Sequence, residues 1–448
     1  MISDRDRLAS TEAREVALAC LEAGIEAGHP RTVVRDAVAL EGEILRIADA
    51  TYDLSEYDEI VVLGGGNAAA HVAVALETIL GELIDGGVVV TDDPVETERV
   101  TVREGDHPVP SERGVDGTRD VLEAADAATD GTLVLAAITG GGSALMPAPA
   151  GDVSLEALQT TTDALLASGA DIHEINAVRK HLSALKGGRL ARRAAPATVA
   201  SLILSDVVGN DLSVIASGPV APDESTFDDA LRVLERYGID APDAVTDHLE
   251  RGTTGEIAET PGSDDPVFDS VSNHIVADGM TVLEAARDAA AERGYEPLVL
   301  SSRVRGEARD AATTHVAIAE EARATGTPVS TPAVLLSGGE TTVTVRGDGA
   351  GGPNQEFATS AALALEDGGG ENENEGGITI AAVDTDGIDG ATDAAGAVVD
   401  GTTVEDTAAA REALAENDVY PYLESRNGLI LTGPTGTNLN DLRVLVVR

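Results

Sequence analysis

Residues 59 to 68 read Glu59-Ile60-Val61-Val62-Leu63-Gly64-Gly65-Gly66-Asn67-Ala68, and an alanine-rich segment follows to residue 82. Four consecutive apolar residues, three glycines and a helix-prone stretch spell strand, tight turn, helix. An unbroken apolar run predicts a buried strand, as in a parallel sheet covered by helices. A glycine turn opening into a helix can aim backbone N–H groups at an anion, although a plain turn in a βαβ unit has the same sequence.

The pattern recurs along the chain. Val88-Val89-Val90 is a second short strand, and 132–138 is a third that ends in Thr139-Gly140-Gly141-Gly142-Ser143-Ala144. Ser201-Leu202-Ile203-Leu204 runs into Ser205-Asp206-Val207-Val208-Gly209. Helical spacing is expected within 10–50, 112–128 and 154–168, and His107-Pro108-Val109-Pro110-Ser111 reads as a stiff extended segment in which His107 could be a ligand but, alone, is more often structural. Further on, helices over 279–293 and 307–325 alternate with strands over 297–301, 333–336, 341–346, 378–383 and 444–447. Acidic low-complexity residues 367–377 read as a solvated loop. Strands alternating with helices define the α/β class, with a mostly parallel, Rossmann-like sheet and a ligand site at the strand ends. The Gly-, Thr-, Pro- and Asp-rich residues 251–268 read as a linker, which divides the chain into domains 1–250 and 251–448.

Composition bounds the function. The chain of 448 residues carries 79 Asp plus Glu against 30 Lys plus Arg, a net charge of −49 spread evenly along the sequence. Such an acidic surface, poor in lysine, suits a halophilic protein in a cytoplasm of high salt, where repulsion is screened. No concentrated acidic block argues for a polycation partner, and no basic face with interleaved aromatics argues for nucleic acid. Long apolar spans and a signal peptide are both missing from the pattern, so a soluble cytoplasmic protein is expected, monomer or homodimer, with no membrane partner. The lone Cys20 lies in an apolar helical pattern and reads as a core residue.

Against this background residues 175–193 stand out. They hold six of the 30 basic residues, including Lys180 and Lys186, the two lysines of the chain. Asn176, Arg179, Ser183 and Lys186 are spaced three, four and three apart, which on one helix ending at Gly187-Gly188 places them on one face. That face is either the wall of a polar cleft holding an anion or a solvated surface. Asp206, at the end of a strand, could hold Mg²⁺ or accept a proton from a hydroxyl. Asp384-Thr385-Asp386-Gly387-Ile388-Asp389-Gly390 and Asp393 put four carboxylates at another strand end, again a metal or hydroxyl site, without the spacing of an EF-hand. Ser143 could donate to a phosphate or carboxylate, but no Gly-x-Ser-x-Gly elbow surrounds it, which argues against a serine hydrolase. Neither a Walker A motif nor a dinucleotide fingerprint with its downstream acid is present.

Taken together, the run 172–190, Leu204-Ser205-Asp206-Val207-Val208-Gly209, Ser337-Gly338-Gly339-Glu340-Thr341-Thr342, Gly351-Gly352-Pro353-Asn354-Gln355-Glu356, Thr385-Asp386-Gly387-Ile388-Asp389-Gly390 and Gly433-Pro434-Thr435-Gly436-Thr437-Asn438 resemble the glycerate 2-kinase family with its C-terminal MOFRL domain. The resemblance covers about residues 10–447. It implies two α/β domains with the active site in the cleft between them, and phosphorylation of D-glycerate at the 2-hydroxyl by ATP with Mg²⁺. On that reading Arg179, with Ser143 and Asn176, holds the carboxylate of glycerate. Lys186 neutralises the transferring phosphate with help from Gly64, Gly65, Gly66 and Asn67, and Asp206 is the catalytic or metal-holding carboxylate. Gly141, Gly142, Arg189, Glu340, Asn354, Asp386 and Asp389 complete the site. Members commonly carry lysine where Asn67 stands and arginine where Pro353 stands, so positive charge must come from Arg179, Lys186 and Arg189. A hydroxypyruvate reductase and a catalytically silent ligand-binding paralogue are the rival readings.

The charge balance makes a testable statement. Thermal unfolding followed by circular dichroism should shift to higher temperature as KCl rises from roughly 0.2 M to roughly 3 M, because screening relieves like-charge repulsion. A midpoint that is flat or falls with salt would refute the high-salt reading.

Overall fold

The computed structural model describes residues 1–367 and 377–448, so most of the expected acidic loop lies outside the described residues. The chain forms two compact units, one from Pro30–Val276 and one from Met1–His29 together with Ala277–Arg448. The division expected after residue 250 therefore moves to 276, and the first helix joins the later unit.

The Pro30–Val276 unit is built on a six-stranded sheet. Its strands Thr101–Glu104, Gly86–Thr91, Glu59–Gly65, Thr132–Thr139, Thr198–Leu204 and Val271–Ala277 lie side by side in that order. The first five run parallel. Numbered along the chain, the order is third, second, first, fourth, fifth, sixth, which is the doubly wound order of a dinucleotide-type sheet. The chain reverses its direction of growth between Glu59–Gly65 and Thr132–Thr139. Ligands bind outside the carboxyl ends of the strands at such a point, because the connecting helices diverge there and leave a crevice. Every residue of Thr132–Thr139 is buried, as its unbroken apolar run requires. A second layer packs Val178, Leu165, Phe227, Val233 and Leu249 from four helices into a separate core.

The expected helical stretch 10–50 is only partly helical. Glu12–Gly28 and Pro30–Ala37 are helices, but Val38–Glu41, Ile44–Ile47 and Ala50–Asp53 form a small antiparallel sheet. Its inward residues, Leu45, Ile47 and Tyr52, alternate with exposed ones, a period of two that is hard to see in strands of four residues.

In the other unit, strands Glu296–Glu307, Ala333–Thr342, Asp441–Val447, Ile378–Asp384, Gly396–Asp400 and Leu429–Ile430 form a mixed sheet. The first two are parallel, while Asp441–Val447 runs antiparallel to both its neighbours. Ser337-Gly338-Gly339-Glu340 is not a turn but the middle of one continuous strand. Glu12–Gly28, capped by the Thr11 hydroxyl on the Arg14 N–H, buries Leu18, Leu21 and Ile25 against Leu283, Val444 and Val446. Arg14 fixes it further through Asp400 at 2.7 Å. Cys20 lies in this core as a free thiol, and burial pushes it up to about 12. Among the described residues no helix is long and apolar enough to cross a membrane.

Leu18→Ala should cost about 2–5 kcal/mol of stability, as buried leucine truncations do. Hydrogen exchange should locate the loss. Protection should fall in Ile378–Asp384, which shares the core of Leu18, and should hold in Thr132–Thr139, which does not. Equal loss in both strands would mean that the first helix does not belong to the later unit alone.

Candidate functional site

Two glycine turns meet at the switch point of the parallel sheet. After Glu59–Gly65 the backbone turns at Gly66, whose φ of 138° is open to glycine, and any Cβ there would collide with Thr139. The N–H groups of this turn are not left for a ligand. Gly66 donates to the Val90 carbonyl at 3.0 Å, Asn67 to the Gly140 carbonyl at 2.8 Å, and Ala68 to the Thr139 hydroxyl at 3.2 Å. The turn therefore stitches neighbouring strands together, and the expected phosphate cradle from these amides is not formed. The Asn67 side chain is also engaged, with its amide N–H₂ donating to both oxygens of Asp92 at 2.9 and 2.8 Å. Its amide oxygen faces Gly141, and the half-buried Asp206, just past Thr198–Leu204, lies against Gly140. Gly64, Gly65, Gly66, Asn67, Gly141, Gly142 and Asp206 thus come together at the carboxyl ends of three adjacent strands.

The basic stretch departs from a single helical face. The helix Ile172–His181 stops before Ser183, with Asp171 and Glu174 forming a capping box at its start. It stops because other partners compete for its backbone. Leu182 gives its carbonyl to Ala150 at 3.0 Å, Ala184 donates to the Ala148 carbonyl at 2.7 Å, and the Ser183 hydroxyl accepts the N–H groups of Leu185 and Lys186. Asn176 and Arg179 share a helix face, whereas Ser183 and Lys186 lie in the loop beyond it.

That loop is held by a left-handed run. Ala216, Ser217 and Gly218 have φ of 49°, 59° and 62°. Left-handed backbone costs roughly 1–2 kcal/mol for each residue other than glycine. The conformation turns the carbonyls of Ser217 and Gly218 to the N–H groups of Gly187 at 3.0 Å and Gly188 at 2.7 Å, just after Lys186. It also places the Ser217 hydroxyl 2.8 Å from the Ser143 hydroxyl and lets it donate to the Asn176 amide oxygen at 3.0 Å. Ser217 was not legible as a site residue, since Ser-Gly-Pro reads only as a turn.

The result is a cluster of buried and half-buried donors that makes no hydrogen bond or ion pair with a carboxylate among the described residues. Asn176 is 2% exposed, yet its N–H₂ group has no partner. Half-buried Arg179 makes no hydrogen bond or ion pair among the described residues, and burial depresses its guanidinium. Lys186 is 4% exposed, and its ammonium donates to the Met146 carbonyl at 2.9 Å. Burial first, and then Arg179 alongside, bring it down to about 7. Lys180 is different, because it is paired with buried Asp223 at 3.1 Å. Arg189 donates to the Lys180 carbonyl at 2.7 Å, at the end of the helix. Such an arrangement suits a small anion, which would satisfy Asn176 and neutralise Arg179 and Lys186 together.

The remaining expected residues lie in the other unit. Asp389 is 1% exposed and accepts the N–H groups of Asn354 and Gln355, both at 2.9 Å, so it caps the helix Pro353–Asp367. Burial nevertheless raises it to about 6. Fully buried Asn354 donates from its side chain to Asp441 at 2.6 Å. Glu340 is exposed on its strand, and half-buried Asp386 accepts the Ile388 N–H at 2.7 Å. Burial, and then Asp386, Asp441 and Asp389 alongside, push Asp384 well above the usual carboxylate range, so these carboxylates do cluster, although among the described residues no group of three His, Cys, Asp or Glu side chains could hold a metal. Asp389 and Asn354 hold each other instead.

Known proteins share this architecture. Residues 16–250 match a family described as a domain of unknown function (DUF4147), and residues 333–441 match the MOFRL family. The glycerate 2-kinase of Pyrococcus horikoshii is 40% identical over 443 residues, covering 97% of both chains. A protein of Agrobacterium vitis that carries a hydroxypyruvate reductase name is 41% identical over 395 residues, covering 86% of this chain and 87% of that one. A crystal structure of glycerate kinase from Thermotoga maritima superposes with a TM-score of 0.84 at 39% identity, covering 97% of this chain and 99% of that one.

The buried lysine has a pH signature. Between about 7 and 10.5 the unfolded chain holds a proton that folded Lys186 has lost, so the ligand-free protein should gain stability as pH rises through that window. Denaturant unfolding should show the wild type gaining about 1 kcal/mol per pH unit relative to Lys186→Met. Parallel pH profiles for the two proteins would show that Lys186 is not depressed.

Proposed function

The chain belongs to the glycerate 2-kinase family, and from that membership we propose that it transfers the terminal phosphate of ATP to the 2-hydroxyl of D-glycerate, giving 2-phosphoglycerate and ADP. One observation carries the proposal to this chain. In a protein with 79 acidic residues, Arg179, Lys186 and the Asn176 amide converge, and among the described residues none of the three makes a hydrogen bond or ion pair with a carboxylate. A 2-hydroxy acid brings the missing anion. Its carboxylate is held by the Arg179 guanidinium and the Asn176 N–H₂ group, and Lys186 adds a second positive charge as phosphate arrives. Phosphoryl transfer needs positioning and charge neutralisation more than covalent help, and a cluster of buried and half-buried donors suits both.

Asp206 lies across the glycine turn from Asn67, and we assign it to the reacting hydroxyl because of its place at the end of the strand. Mg²⁺ does not need a cage of protein ligands, since it is commonly held by one or two carboxylates together with substrate phosphates, and Asp206 fits that donor set. When bound, the ion would neutralise charge on the phosphates. The acidic surface supports a working place in a cytoplasm of high salt.

Incubating purified protein with ATP, Mg²⁺ and D-glycerate in molar KCl should yield ADP and 2-phosphoglycerate, without consumption of NADH when hydroxypyruvate replaces glycerate. Asp206→Asn should lower kcat by about a hundredfold or more. An unchanged Mg²⁺ requirement in that variant assigns Asp206 to the proton, and a raised one assigns it to the ion. NADH consumption without ADP formation would replace the proposal by the reductase. Ligand binding without either reaction would leave a silent paralogue.

A further inference from the structure

The hydroxyls beside the anion pocket form a chain with a direction. Ser143 Oγ is 2.8 Å from Ser217 Oγ, and Ser217 Oγ is 3.0 Å from the Asn176 amide oxygen. An amide oxygen only accepts, so Ser217 gives its single proton to Asn176. Ser143 must then give its own proton to Ser217. What Ser143 presents to a ligand is a pair of lone pairs and no proton, the reverse of the donor expected from the sequence.

The same chain cannot carry a proton away. It ends on an amide oxygen, which does not become protonated at ordinary pH, so Ser143 cannot relay a proton out of the site. A substrate hydroxyl resting on Ser143 is therefore one that keeps its proton. In a hydroxy acid phosphorylated at C2, that hydroxyl is the one at C3. The partly exposed Ser143 and the unpartnered Asn176 N–H₂ group are separated by one bridging hydroxyl, a span suited to a three-carbon acid lying between them. The geometry points to Ser143 as the acceptor of the C3 hydroxyl of the substrate, with Ser217 as the positioning residue that fixes its polarity. This inference rests on the glycerate reading above and adds the feature that tells glycerate from an acid lacking the second hydroxyl. A hydroxyl built to be contacted discriminates, because its absence leaves its partner without that hydrogen bond.

The test compares D-glycerate with D-lactate, which lacks only the C3 hydroxyl, by calorimetry on the full-length protein. The wild type should bind D-glycerate more tightly by about tenfold. Ser143→Ala should lose that preference through weaker glycerate binding, with lactate affinity unchanged, while Ser143→Thr, which keeps a hydroxyl, should retain it. Ser217→Gly keeps the left-handed backbone, since glycine takes a φ of 59° freely, and removes only the hydroxyl. It should narrow the preference by roughly threefold, because Ser143 can then turn its proton toward the substrate. If Ser143→Ala weakened both ligands equally, or if Ser217→Gly left the wild-type ratio intact, the assignment would be overturned. A wild type that binds D-lactate but not D-glycerate would also overturn it. Failure to bind either acid would instead sink the functional reading, and the hydroxyl contact with it.

Discussion

Three consecutive left-handed residues hold the anion pocket in register. Ala216, Ser217 and Gly218 adopt a backbone that only the glycine takes without strain. Their carbonyls are the acceptors for Gly187 and Gly188, and the middle hydroxyl lies between Ser143 and Asn176. Four segments distant in sequence therefore share one short turn. Relaxing it to ordinary right-handed backbone would leave buried N–H groups on the Lys186 loop without acceptors. That penalty, comparable to the strain itself, is why the strained form persists.

Charge in this protein is arranged by exclusion as much as by pairing. Several buried or half-buried cations elsewhere meet an acid closely: Arg14 meets Asp400, Arg309 meets Glu356, and Lys180 meets Asp223. Lys186 lies six residues beyond Lys180 and has a carbonyl where Lys180 has a carboxylate. A resident acid beside Arg179 would compete with any incoming anion and hold the pocket shut. Leaving it out keeps two cations poorly neutralised, and the depressed lysine is the measurable trace of that cost.

How much could be read from the chain follows from what each signal depends on. Buried strands announce themselves through local composition, so 60–63, 132–138, 378–383 and 444–447 were legible. The glycine turns were legible too, although not their use, because whether Gly66 and Asn67 donate to a ligand or to Val90 and Gly140 depends on strand order. Helix length failed at Ser183 for the same reason, since the competing groups of Ala148 and Ala150 lie far upstream. Asn176, Arg179, Lys186 and Asp206, which the proposed function uses, could be picked out as candidates by residue type and position. Asp389 and Asn354 looked alike by those criteria and prove to be a helix cap. Ser217 had no signal of its own, because its importance lies in a backbone angle.

The later unit is discontinuous in sequence, and that carries a consequence for how the chain is made. Leu18 and Leu21 find their partners Val444 and Val446 only when the last strand exists. On a ribosome the Pro30–Val276 unit can close its sheet while the rest is still being translated, since domains fold as units as they emerge. Glu12–Gly28 must wait, apolar face uncovered, until Asp441–Val447 has been translated. An early helix with an unsatisfied face is a natural client for a chaperone, and its docking against Leu283 and Val444 can follow only once Asp441–Val447 has been made.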